Sequence, residues 1–126
     1  MIHRFKTWAM EKVKVVSIKD NIIVFDNGVK LFSYHDQDCC EHHDLEMNDL
    51  TLCDFDGLEF DLTNDNFFNR IEDYGIELVP TKGHSVKIPG YGYNNGYYSS
   101  QMDLVLEKEG KYIKRYDISE CQVSKY

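Results

Sequence analysis

The 126-residue sequence predicts an α+β domain: a mostly antiparallel sheet made of two hairpin or meander units, one short helix, and an acidic irregular segment. Three observations predict it. β-rich runs separated by turn residues occupy both ends of the chain, a capped and helix-spaced run lies between them, and the acids concentrate in the middle.

The first unit rests on Val13 to Ile18 and Ile22 to Phe25, which flank Lys19-Asp20-Asn21. Asn27-Gly28 then leads into Val29 to Tyr34, and an Asn-Gly pair between such runs suits a type I′ turn, whose central residues both need positive φ. A three-stranded meander over roughly residues 13 to 34 follows. In the second unit Met102, Leu104 and Leu106 alternate with polar neighbours, the period of a half-buried strand. Glu109-Gly110 breaks the run, and Lys111 to Ile118 resumes it with Tyr112, Tyr116 and Ile118 on one parity. Leu104, Leu106, Val15, Leu31 and Ile71 are the predicted core.

Between the units, Thr63-Asn64-Asp65-Asn66 offers N-caps for a helix over residues 64–74 carrying Phe67, Phe68 and Ile71, with Gly75 as its stop. Residues 41–53 fit either an irregular helix or an acidic loop. Residues 1–12, with Ile2, Phe5 and Trp8 spaced by three, read as an N-terminal extension to a single domain over residues 13–126.

Composition narrows the function classes. With 42% hydrophobic residues, 8 Gly and 2 Pro, the chain can build a core and is not a low-complexity polymer. The net charge of −8 argues against nucleic acid as a partner. No apolar run approaches a membrane span, and the first ten residues lack the pattern of a secretory signal, so a cytoplasmic location is expected. The charge is segregated: residues 1–19 carry +4, 20–35 carry −1, 36–77 carry −13 and 78–126 carry +2. A solvated acidic face explains the middle block, and a surface that steers a basic protein partner is the functional alternative.

The densest chemistry is the run Tyr34-His35-Asp36-Gln37-Asp38-Cys39-Cys40-Glu41-His42-His43. In a metal reading, Cys39 with His42 or Cys40 with His43 lies at i,i+3 and His35 with Cys39 at i,i+4, so His35, Asp36, Asp38, Cys39, Cys40 and His42 form the candidate ligand set. Thiolate and imidazole favour zinc, although no pair has C-x-x-C or H-x₃-H spacing. In a catalytic reading one cysteine is a nucleophile with a histidine base; the surrounding Asp36, Asp38, Glu41 and Asp44 disfavour its thiolate. In the plainest reading Asp36 and Asp38 satisfy turn amides and a cysteine packs as a small apolar group. Adjacent Cys39 and Cys40, with Cys53 and Cys121, do not suit an ordinary disulfide framework.

A second constellation is Pro89-Gly90-Tyr91-Gly92-Tyr93-Asn94-Asn95-Gly96-Tyr97-Tyr98-Ser99-Ser100. Tyr91, Tyr93, Tyr97 and Tyr98 could wall a flat small ligand, with hydroxyls for its polar edge. Equally, Asn95-Gly96 is a turn, and Tyr97 and Tyr98 open a strand.

The string His35 to His42, together with Tyr74-Gly75 and Asn95-Gly96-Tyr97-Tyr98-Ser99-Ser100, resembles an uncharacterised family of small bacterial and phage proteins marked by a HDQDCCEH motif and a later NGYYSS motif. The similarity covers roughly residues 13 to 120. It implies that the His/Asp/Cys string and the NGYYSS string belong to one site or one folding nucleus, and it carries no activity to transfer. The chain departs from it after His42, where His43-Asp44 replaces an aromatic-containing stretch. A non-catalytic binding or interaction module is the leading expectation, since no nucleophile, base and oxyanion set can be assembled.

Overall fold

The computed structural model describes residues 12–35, 42–93 and 101–124, with His42, Tyr93 and Ser124 by backbone alone. Ten strands and two short 3-10 turns make up the regular structure of those residues: β1 (Val15–Lys19), β2 (Ile22–Phe25), β3 (Lys30–Tyr34), β4 (His42–Leu45), β5 (Phe68–Ile71), β6 (Gly75–Leu78), β7 (Val86–Tyr93), β8 (Asp103–Lys108), β9 (Lys111–Asp117) and β10 (Val123–Ser124). The 3-10 turns are Leu52–Phe55 and Asp65–Phe67. The fold is therefore essentially all-β, and the α+β expectation is corrected.

The helix expected over residues 64–74 is the point of failure. Asn64 does cap, its side chain accepting from the Asn66 amide, but the turn closes after three residues. Phe68 is already extended, at φ −148° and ψ 159°, and β5 pairs antiparallel with β6 through Phe68↔Leu78 and Ile71↔Gly75. Asp73, at φ 61°, makes the left-handed turn between them, so Gly75 opens a strand where it was expected to end a helix. Phe67 and Phe68 are both buried, with ring centroids 5.8 Å and 5.0 Å from that of Tyr116. This contact with β9 outweighs a one-turn capping preference. The segment 41–53, expected as helix or loop, likewise begins with strand β4.

The first sheet runs β1-β2-β3-β8-β9, all antiparallel. Its turns obey the expected logic at different places. Asp20 and Asn21 have φ 53° and 63°, and Glu109 and Gly110 have φ 54° and 78°, as type I′ hairpins require. At Asn27-Gly28 only the glycine is left-handed, at φ 90°; the Gly28 amide bonds to Phe25 O and the Phe25 amide to Val29 O. That is a type I turn closed by a glycine bulge, so the type I′ expectation there is corrected.

Alternation sends Ile23, Phe25, Leu31, Met102, Leu104 and Leu106 to one face, all buried. The expected parity of Tyr112 with Tyr116 fails at a bulge: Leu106 pairs with Lys114 and Glu107 with Tyr112, leaving Ile113 over. Tyr112 is consequently on the outer face and 55% exposed, whereas Tyr116 opposite Leu104 is on the inner face. Of the other predicted core residues, Val15 packs against the core partly buried, and Ile71 is partly buried on β5.

The second sheet is centred on β7. The Pro89 carbonyl accepts from the Glu46 amide while the Gly90 amide donates to Tyr74 O, so β4 and β6 flank β7 on opposite edges. β5 extends the sheet beyond β6, and β10 runs parallel to β7 through Val123↔Tyr91 and Ser124↔Gly92. Buried side chains of both sheets form one cluster, with Phe55, Leu58 and Phe60 from the intervening loop. Reciprocal 2.8 Å amide bonds between Val13 and Phe60 tie that loop to the start of the first sheet. No helix among the described residues is long and apolar enough to cross a membrane.

Candidate functional site

β3 and β4 carry the two histidines of the site. The Leu45 amide donates to Ser33 Oγ at 2.9 Å, drawing the end of β3 against β4. His35, just past β3, consequently meets His43 on β4: their ring centroids are 4.5 Å apart with planes at 65°, an edge-to-face contact. His43 is buried at 6% exposure and His35 is half-buried.

Each ring is oriented through Nδ1. That of His35 is hydrogen-bonded to the carbonyl of Gln101, just before β8. A carbonyl can only accept, so this nitrogen carries the proton. Nδ1 of His43 lies 2.6 Å from Oε1 of Gln122, just before β10. The Gln122 amide nitrogen donates to Ser119 O at 2.7 Å, which fixes the oxygen toward His43 and makes its Nδ1 a donor too.

Gly92 makes room for this arrangement. A Cβ there would lie 2.6 Å from His43 Nδ1 and would collide with Gln122 Oε1. Glycine in a strand often marks a close approach of this kind. Similarly, a Cβ on Gly90 would strike the Cys121 carbonyl, so two glycines of β7 let the 121–124 segment lie against the strand. Between them, Tyr91 pairs in register with Asp44 on β4 and Val123 on β10.

The pairings gather the ends of the two sequence strings. His35 precedes residues 36–41 and His42 follows them; Tyr93 precedes residues 94–100 and Gln101 follows them. His35 is bonded to Gln101, and the His42 backbone is paired with Tyr93, so both strings leave from and return to the same place. Asp36, Asp38, Cys39, Cys40, Tyr97 and Tyr98 lie outside the described residues. Residues 89–93 belong to β7, so the first part of the expected tyrosine loop is strand.

The candidate ligand set holds His35 and His42, with His43 only as a spacing partner of Cys40; the imidazole that accompanies His35 is His43. Gly92 belongs to the Gly/Tyr constellation of the sequence, whereas Gln101 and Gln122 carry no local signal there. Among the described residues no group of three or more His, Cys, Asp or Glu side chains is placed to hold one ion. Cys53 is exposed and Cys121 buried, both as free thiols. Burial, and then the neighbouring Glu120, pushes the Cys121 thiol up to about 11, so it stays protonated at neutral pH.

A family model described as a domain of unknown function (DUF7448) matches residues 3–104, from before β1 into β8. Neither the curated proteins nor the solved structures compared with the chain contain a match.

Proposed function

The chain belongs to that family of unknown function, and we propose that it is a non-catalytic binding module whose site is the His35–His43 pair together with the residues of the chain between them, and that its ligand is a zinc ion. The observation that carries this reading is the shared orientation of the two rings. With Nδ1–H donated to an oxygen in both, a neutral imidazole keeps its lone pair on Nε2, the tautomer in which histidine ligates a transition metal. Oxygen acceptors behind Nδ1 are the usual outer support of such ligands.

Asp36, Asp38, Cys39, Cys40 and His42 are the proposed source of the remaining ligands, because they occupy the chain between the two imidazoles. Thiolate with imidazole selects zinc over calcium or magnesium. Tyr97 and Tyr98, from the second string, would then wall the site; Tyr91, which pairs with Asp44, alternates to the sheet face opposite Gly92 and His43. A cysteine nucleophile is disfavoured by the acids around Cys39 and Cys40 and by the protonated state of Cys121.

Zinc titration of untagged, chelator-treated protein tests the reading. Binding of about one ion per chain with a raised melting temperature is expected, because a ligand held only by the native state adds to its stability. His35→Ala and His43→Ala should each weaken binding by roughly tenfold or more. Protein that retains no zinc and melts at the same temperature with and without it would refute the metal assignment.

A further inference from the structure

A cavity of about 310 Å³ opens at the far end of the first sheet, beside the Asn27-Gly28 turn and the β8–β9 hairpin. Its floor is apolar: Val13, Val29 and Leu106 line it and are all at most 4% exposed. Leu62 and Ile113 form its rim, the latter 50% exposed because it is the extra residue of the β8–β9 bulge. Bulges commonly re-aim side chains next to binding sites.

Two lysines also line the cavity, beside the polar Asn27 and Thr63. The same bulge puts Lys114 opposite Leu106 on the inner face, where Asp65 holds its Nζ at 2.8 Å. Lys108 has no ion pair among the described residues, and its stem crosses the turn, since a Cβ on Gly28 would lie 3.9 Å from Lys108 Cε. Of the basic groups in residues 108–115, Lys114 and Arg115 are ion-paired with Asp65 and Asp103, whereas Lys108 and Lys111 have no ion pair among the described residues. The cavity therefore joins an apolar floor to a lysine whose ammonium makes no ion pair among the described residues.

We infer that this cavity is a second binding site, separate from the histidine pair, and that it takes a small aliphatic carboxylate. The hydrocarbon body displaces water from Val29 and Leu106, a gain proportional to the apolar area covered. The carboxylate meets Lys108 at the rim, where it keeps part of its hydration and avoids the cost of burying a charge. The volume is at the lower end of the range for ligand pockets, which suits a compact ligand with a single charged group.

Calorimetric titration of the full chain with octanoate, octanol and acetate separates the contributions, and methyl spectra locate the binding. Octanoate should bind and shift the methyl signals of Val29, Leu106 and Ile113. Octanol should bind about fivefold more weakly, and acetate should not bind. Lys108→Met should cut octanoate affinity about fivefold and leave octanol unchanged. Leu62→Trp should occlude the cavity and abolish both. If that variant is unfolded by circular dichroism, the methyl map of the parent decides alone. Absence of octanoate binding, methyl shifts elsewhere, or acetate binding as tightly as octanoate would overturn the inference.

Discussion

His43 Nδ1 and Gln122 Oε1 lie 2.6 Å apart although 79 residues separate them in the chain. The bond joins β4 to the segment entering β10, across the backbone of β7 at Gly92. It provides a partner for a ring buried at 6% exposure and sets which nitrogen of that ring carries the proton.

Gly92→Ala should therefore act through Gln122. The new methyl cannot coexist with the observed amide position, so the His43–Gln122 hydrogen bond is lost and the fold should lose about 1–3 kcal/mol, as for a buried hydrogen bond removed from one side. Gln122→Leu should cost a similar amount. The double variant, measured by urea denaturation, should cost little more than the larger single change, because both remove one interaction. Additive losses would mean that glycine at this position serves something other than the His43–Gln122 contact.

Asn21 offers a sharper separation of backbone from side chain. It is left-handed at φ 63°, its amide nitrogen donates to Leu45 O, and its Oδ1 accepts from the Met47 amide at 2.6 Å. Asn21→Gly keeps the turn and loses the clamp on the end of β4, costing about 1–3 kcal/mol. Asn21→Ala should be roughly 1 kcal/mol worse, since it adds the left-handed penalty. Equal thermal midpoints for the two would show that the turn does not need positive φ in solution.

The contrast between these turns and the helix that does not form shows what the sequence makes legible. The breaks at Lys19-Asp20-Asn21 and Glu109-Gly110 are legible locally as turn residues between β-rich runs, although the type I′ geometry expected at Asn27-Gly28 forms at these two places. The alternation of Met102, Leu104 and Leu106 is local too, and all three are buried. Phe67, Phe68 and Ile71 suit a helix by spacing, and it is the pairing of Phe68 with Leu78 and the ring of Tyr116, nearly fifty residues later, that go with a strand. The site divides in the same way. His35 was legible as chemistry, whereas Gln101 and Gln122 act through one carbonyl and one amide whose positions depend on strand pairing.

Leu104 tests the shared core. It is fully buried on β8 between Ser33 and Tyr116, so Leu104→Ala should cost roughly 2–5 kcal/mol. Val15→Ala, at a partly buried position, should cost less. An unchanged urea midpoint for Leu104→Ala would remove that residue from the core.

Stability should fall at both ends of the pH range, for groups whose shifts have opposite signs. Asp65 is held below its ordinary value of 3.8 first by the Lys114 hydrogen bond and then by that of Tyr116; Asp117 is lowered by the Ser119 hydroxyl and amide. A carboxylate with a lowered folded pKa contributes above its unfolded value and loses that contribution as pH falls through the folded one, so the acid loss begins near pH 4 and continues below it. On the alkaline side, burial and Glu120 raise the Cys121 thiol from 9.0 to about 11, and burial followed by the Asp65 hydrogen bond raises the Tyr116 phenol above its ordinary range. These contributions are complete below the unfolded pKa and are lost as pH rises through the folded one, so stability should decline from pH 9 towards 11. Cys121→Ala lowers the urea midpoint at neutral pH through lost packing, yet it should reduce the further drop between pH 9 and 11, because one of the two titrating groups is gone. A decline as steep in Cys121→Ala as in the parent would assign the alkaline transition to Tyr116 and other groups alone.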